Sequence, residues 1–216
     1  MFVPRIDEIR RALSVYEPKL TQRESAGRAA VALVLRERAG AAEILFIERA
    51  EKDGDPWSGH MAFPGGRVDP TDQSPERAAI RETFEEVGLA LARGERLGRL
   101  DDLEGRHAGR PPGLVISAFV YHLEAPDELV PQQSEVREAF WVPVRRLVEP
   151  DRRVRRAFRD TGSFEFPGIV VGEPDRHVVW GLTYRFLEVF FRAIGWPFPD
   201  AWSDVDAAVL EHLRRA

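Results

Sequence analysis

The stretch GGRVDPTDQSPERAAIRETFEEVGL, residues 65 to 89, holds the chain's densest run of chemistry-bearing side chains. It opens on two glycines and passes through a turn-rich loop, Asp-Pro followed by Thr-Asp. Ser74-Pro75-Glu76 then reads as a helix start: a serine cap, a proline at the first position and an acid in the first turn. Gly88 is the natural stop. On a wheel of about 100° per residue, Ile80, Phe84 and Val87 share one arc, which is expected to face the core. Glu82, Glu85 and Glu86 share the opposite arc. Their i, i+3 and i, i+4 spacings let the carboxylates converge.

Converging carboxylates repel unless a cation neutralises them. A run of glutamates on a helix is, taken alone, more often a solvated face, and Arg81 could offset the charge. The glycine pair just upstream changes the reading. It marks a tight bend with permissive backbone, next to the start of an acidic helix where anions are favoured. Carboxylates beside backbone amides suit a hard cation, Mg2+ or Mn2+, together with a phosphate.

Working outward, AAVALVLRE and EILFIERA read as a strand pair. The loop EKDGDPWSGH follows. ERLGRLDDLEG and GLVISAFVYHLEA are further strand candidates. SEVREAFWVPVRRLVEP joins a strand end to a short helix. RRVRRAFRD, FEFPGIVV and RHVVW are short strands, and GLTYRFLEVFFRAIG is a helix with Leu182, Phe186, Val189 and Phe190 on one face. Helices are expected near both ends, over about 4–17, with Ile6, Ile9, Leu13 and Val15 at helical spacing, and over about 204–215. Strands and helices alternate without a regular β-α-β rhythm, so the fold class is α/β or α+β in one domain, 1–216.

Composition sets the outer bounds. The 216 residues are 44% apolar and 31% charged, as in a soluble globular protein. The net charge of −5 argues against nucleic acid as the main partner. With no cysteine, disulfides, thiolate metal sites and thiol nucleophiles are excluded. No stretch approaches the length of a membrane span, and the first twenty residues lack a signal-type apolar core. The expected location is cytoplasmic.

The residues 65–89 resemble the signature of the Nudix hydrolases: a glycine, an acid six residues on, then Arg-Glu-aliphatic-x-Glu-Glu-x-Gly-aliphatic. Gly66, Arg81, Glu82, Glu85, Glu86, Gly88 and Leu89 fit it. Thr83 stands where an aliphatic residue is usual. The acid is out of register: Asp72 fits when counted from Gly66, but Gln73 falls there when counted back from Arg81, so the spacer carries one extra residue. That spacer, the run GHMAFPGG (Gly59, Phe63, Pro64, Gly65, Gly66) and LFIERA with Arg49 are similar to the branch of coenzyme A pyrophosphatases. One departure is Asp55, where that branch usually has an arginine.

The resemblance spans about residues 28–145 and implies an α/β/α sandwich, a mixed sheet between helices, with a core over about 28–195. The implied reaction is hydrolysis of the anhydride in a nucleoside diphosphate linked to another moiety, coenzyme A or a derivative being the first expectation. ADP-ribose or NADH is the alternative within the same chemistry, and a nucleotide-binding protein without turnover is the alternative outside it. Glu82, Glu85 and Glu86 are the implied metal ligands and catalytic carboxylates, with Mg2+ or Mn2+. Arg81 is read as orienting them. Glu135, in QQSEVREAFWVP, is the expected base or further ligand, with Glu138 a weaker candidate. Substrate contacts are expected from Arg49, His60, Gly65 and Gly66. A helix cap is expected of Asp72, and packing of His177 and Trp180. Trp57 is either a stacking partner for a base or a lid. A homodimer using the terminal helices completes the expectation; membrane and nucleic-acid partners are not expected.

Overall fold

The computed structural model describes residues 4–22, 27–54, 57–105, 113–157 and 165–198. Asp55 and the expected helix over 204–215 lie outside the described residues.

Strand β1 (Gly27–Arg38) is the axis of the fold. It pairs antiparallel with β2 (Ala41–Arg49) through a short hairpin and parallel with β7 (Leu114–His122) along nine residues. A parallel pair is covered on both faces, which is why GRAAVALVLRER reads as an apolar run rather than an alternation. Two-residue β3 (Met61–Ala62) and β8 (Val136–Pro143) pair with β2. β4 (Gly65–Arg67) pairs with β1, and β5 (Glu95–Arg99) and β6 (Leu103–Gly105) pair with β7. Together these make one mixed eight-stranded sheet. A second sheet joins β9 (Arg153–Ala157), β10 (Glu165–Val170) and β11 (Val178–Val179) in the order β11-β10-β9.

Side chains divide by parity between the two faces of the large sheet. Ala30, Ala32, Val34, Leu45, Ile47, Phe119 and Tyr121 face helix α2 (Pro75–Val87), against its Ala78, Ala79 and Val87. Leu33, Leu35, Ile44, Phe46, Ala118 and Val120 face the other way, against α1 (Ile6–Ser14) and α3 (Gly181–Ala193). The architecture is therefore the expected α/β/α sandwich with a mixed sheet.

Local sequence explains the helix ends. In α1 the Glu8 carboxylate accepts the Arg5 backbone N–H at 3.0 Å, and Ile6, Ile9 and Leu13 are buried. The helix is shorter than the expected 4–17. Val15 lies past its end and is 81% exposed, so it is not part of the apolar stripe. In α2, Ser74 Oγ accepts from Arg77 N, Pro75 is at N1, and Gly88 adopts φ 76° at the C-cap. The buried face of α3 is wider than the expected stripe, taking in Tyr184, Leu187 and Phe191 as well, because β10 packs on this helix in addition to the main sheet.

Two expectations are corrected. The Gly65-Gly66 pair is not a tight bend but the start of β4, with Ala30 opposite Gly66 and Val31 opposite Gly65. Sheet pairing overrides the local turn propensity. The core arc of α2 is also rotated from the wheel reading. Phe84 is 59% exposed, whereas Ala78, Ala79, Thr83, Glu86 and Val87 are buried. The helix packs with its small residues and two of its acids against β1 and β4, because Ala79 allows a close approach that Phe84 would prevent. Thr83 fills an aliphatic position by donating its hydroxyl to Ala79 O at 2.7 Å, so no buried polar atom is left over. Replacing Phe84 by alanine is therefore expected to change unfolding free energy by less than about 0.5 kcal/mol. Val87→Ala, which empties part of the core, is expected to cost about 2 kcal/mol. Urea titration of the two variants checks this ranking.

Candidate metal and active site

The rotation of α2 decides the site. Glu82 and Glu86 lie one turn apart on the arc that faces β1 and β4, not on a solvated face. Glu86 is 2% exposed, and its Oε2 accepts the Gly65 N–H at 2.9 Å. Glu82 lies against Gly66, where any Cβ would overlap its carboxyl group. Gly65 has φ 151°, and a Cβ there would overlap the Ala30 carbonyl. The two glycines thus serve separate ends. Gly65 lets β4 press against β1, and Gly66 leaves room for a carboxylate over the strand.

Glu135 completes the group. It stands in the turn just before β8, and its carbonyl accepts Ala50 N–H at 2.8 Å. Carboxylate oxygens of Glu82, Glu86 and Glu135 all lie within 4.8 Å of one another. Glu85 is not in this group among the described residues. Its half-exposed carboxylate reaches outward to Arg81 Nη1 at 3.0 Å.

Arg81 bridges the set. Nη1 donates to Glu82 Oε1 at 2.9 Å as well as to Glu85, while Nε and Nη2 donate to Asp72 at 3.2 and 2.9 Å. Asp72 is therefore the anchor of this guanidinium and not the expected helix cap; Ser74 takes that part. The loop holds Asp72 in place. Asp69 N–H donates to its Oδ2 at 2.8 Å, and Asp69 in turn accepts from Thr71 N and Oγ1. The turn residues Asp-Pro and Thr-Asp and the extra spacer residue mark this loop in the sequence, but they do not reveal the pairing of Asp72 with Arg81.

The remaining candidates are dispersed. Arg49 is the last residue of β2 and extends the parity of Leu45 and Ile47 towards α2, close enough for its charge to stabilise ionised Glu86. His60 is not drawn into the carboxylate group: its ring packs edge-on against Trp180, centroids 4.9 Å apart. Trp57 is 40% exposed on the loop before it. Glu138 lies on the other face of the sheet and pairs with Arg176 at 3.0 Å. His177 is buried against Phe140.

Electrostatics agree with a cation site. Burial pushes the Glu86 carboxyl up to about 8, against the opposing pull of the Gly65 N–H and the charge of Arg49. Burial also raises Glu82, against its bond to Arg81. Asp72 is held below the ordinary carboxylate range by its bonds to Arg81. One buried carboxylate, a partly buried one and a third at the mouth form a hard-oxygen set, and such a set fits Mg2+ or Mn2+.

Comparison with known proteins agrees. The family model described as NUDIX domain matches residues 26–161. The chain belongs to the NUDIX domain family. A Schizosaccharomyces pombe protein is 41% identical over 115 residues, covering 52% of this chain and 35% of its own length. A human protein named mitochondrial coenzyme A diphosphatase is 34% identical over 158 residues, covering 72% of this chain and 64% of its own. The chain thus spans less than two thirds of either relative. The crystal structure of a MutT/nudix family protein from Enterococcus faecalis superposes with a TM-score of 0.52 at 18% identity, covering 90% of this chain and 76% of that one, which supports the Nudix fold. The cytoplasmic expectation gains nothing from the human relative, whose name places it in mitochondria. No helix among the described residues is long and apolar enough to cross a membrane.

Two outcomes follow from the geometry. Glu86 binds its proton more tightly folded than unfolded, so its contribution to stability is greatest at low pH and is lost as pH rises from the ordinary 4.5 through about 8. In metal-free protein, Glu86→Gln is expected to remove most of that loss, about 3–5 kcal/mol at pH 8 and little at pH 5, read by urea unfolding at both values. Gly66→Ala is expected to displace the Glu82 carboxylate and destabilise the fold by about 1–3 kcal/mol, measured by thermal unfolding beside Gly27→Ala, whose Cβ would meet Leu114 at an ordinary 3.4 Å.

Proposed function

We propose that this chain is a divalent-cation-dependent pyrophosphohydrolase acting on coenzyme A or its derivatives. One observation carries the reading: Glu82, Glu86 and Glu135 bring three carboxylates within 4.8 Å of one another, one of them fully buried. The described elements act as one catalytic unit in this reading, since a single apolar cluster runs from α1 through the sheet to β10 and α3.

Glu82 and Glu86 would hold the cation, with Glu135 as third ligand and Glu85 closing the set from the rim. A bound Mg2+ or Mn2+ would screen the charge of the diphosphate and acidify a water molecule. The protein's own groups do the rest. Asp72 fixes Arg81, and Arg81 spaces Glu82 from Glu85 so that neither swings away. Arg49 faces the same carboxylates from β2 and would meet the phosphate oxygens, with Gly65, Gly66 and His60 lining the approach. Water attacks one phosphorus, the bridging P–O bond breaks, and the bridging oxygen leaves with the other phosphate. Glu135, exposed at the mouth, takes the proton from the water.

The choice of coenzyme A rests on the human relative's name and on the run GHMAFPGG. Asp55 favours a second reading within the same chemistry, ADP-ribose or NADH, because an acid repels a terminal phosphate.

A mass-spectrometric product screen with Mg2+ or Mn2+ decides among these. Coenzyme A is expected to yield 3′,5′-ADP and 4′-phosphopantetheine. Cleavage of ADP-ribose or NADH alone would keep the mechanism and overturn the substrate. Silence across the panel would favour a binding protein. Glu82→Gln with Glu86→Gln is expected to lower turnover by at least about 100-fold with circular dichroism unchanged; wild-type turnover in that double variant would overturn the site.

A further inference from the structure

A buried cluster of charges outside the site, among the described residues, lies on the far face of the same strands. Glu48 is 1% exposed, and Arg176 grips it with Nε at 3.0 Å from Oε1 and Nη2 on Oε2. The same Nη2 reaches Glu138 at 3.0 Å, and Arg137 Nη1 lies 3.6 Å from Glu48 Oε1. His177 Nε2 lies 3.4 Å from Glu138 and 3.6 Å from Glu48.

Glu48, Glu138 and His177 are metal-ligand types, yet the ring is set the wrong way for a ligand. His177 Nδ1 accepts the Glu173 N–H at 3.0 Å, so the proton of the neutral ring sits on Nε2, the atom aimed at the carboxylates. A ligating imidazole needs that nitrogen bare and donates from the other. Arg176 already supplies the cation. The cluster is an ion-pair lock.

Its position gives it a use. Along β2 and β8 the register runs Glu48 opposite Glu138 and then Arg49 opposite Val136, so Arg137 is an extra residue, a β-bulge. The bulge reverses parity. Phe140 and Val142 face α3's side of the sheet, but Val136 faces α2. Glu135 follows directly from that reversal, and its carbonyl is bonded to Ala50, the residue after Arg49. Both the bulge residue Arg137 and the turn residue Arg176 converge on Glu48.

We propose that Arg176 is a positioning residue for the carboxylate site: clamping Glu48 from behind the sheet, it holds the bulge that delivers Glu135 to Glu82 and Glu86. The inference rests on the reading that those three carboxylates hold the cation. The fork matters because one planar guanidinium spans both oxygens of Glu48 and Glu138 together, which an ammonium cannot do.

The test compares Arg176→Gln and Arg176→Lys with Arg36→Gln. Arg36 pairs with Glu43 at the other end of β2, so its loss serves as a control for removing an ion pair from this sheet. Amide exchange by NMR is read at Ala50 in metal-free protein, and Mn2+ affinity by electron paramagnetic resonance. Arg176→Gln is expected to lower Ala50 protection while sparing core amides such as Leu33 and Val120. It should weaken Mn2+ binding about tenfold. Arg176→Lys keeps a counter-charge but not the fork, and should recover only part of the Ala50 protection and of the affinity; Arg36→Gln should leave both readouts at wild type.

Unchanged Ala50 protection and Mn2+ affinity in Arg176→Gln would overturn the inference alone. So would protection lost evenly across the core, which marks a merely structural residue. If wild-type protein bound no Mn2+, or bound it equally well with Glu86→Gln, the reading of the carboxylate site would fall first and take this inference with it.

Discussion

The rest of this structure depends on how closely α2 lies on β1 and β4. Two carboxylates face inward at that contact, Glu82 over Gly66 and Glu86 on the Gly65 N–H. Burying a carboxylate is costly unless something offsets it. Here one backbone amide, the charge of Arg49 and the fork of Arg81 do so in part, and the raised proton affinity of Glu86 measures what is left. A fold that tolerates this arrangement carries a standing demand for a cation at one place. The helix supplies the demand, the glycine strand supplies the room, and the sheet keeps the two in register.

The opposite half of the site is held by different means. Glu135 lies in a turn, and loop carboxylates wander unless the backbone is fixed at both sides. On one side Ala50 bonds its carbonyl. On the other the Glu135 N–H is bonded to Gln132, while beyond Ala50's bond a bulge turns the strand so that Val136 enters the core beneath α2. Glu48, buried and doubly gripped, sits behind that bulge. The second sheet and the turn carrying Arg176 are thereby more than a cover for α3. They brace the mouth of the site from the far face, through a charge that would be unfavourable if it were left alone.

Family membership and chemistry come from separate observations here. The matched region 26–161 stops before β10, β11 and α3, yet the segment they span carries Arg176 and Trp180 in its connections and much of the apolar cluster. The matched region thus covers the acidic helix, Glu135 and the strands beneath them, and leaves out the turn that carries Arg176.

Much was legible in the sequence because it is written in short-range rules. Ser74-Pro75 and Gly88 bound α2, the apolar run after Gly27 reads as a central strand, and the spacing Arg81-Glu82-Glu85-Glu86 points to cation chemistry. The direction in which that helix faces was not legible. Phe84 looks like core on a wheel, and only packing shows that Ala79 and Thr83 take its place, since a large ring would hold α2 off the strand. The partner of Arg81 was equally hidden, because Asp72 lies nine residues away through a loop whose own hydrogen bonds aim it. So was the link between Arg176 and Glu48, 128 residues apart. The sequence by itself determined the elements, their caps and the residue types of the site, since these depend on neighbours a few positions apart. The tertiary structure alone decided which carboxylates are buried, which converge and what braces them, since burial and ion pairing depend on contacts that no local pattern encodes.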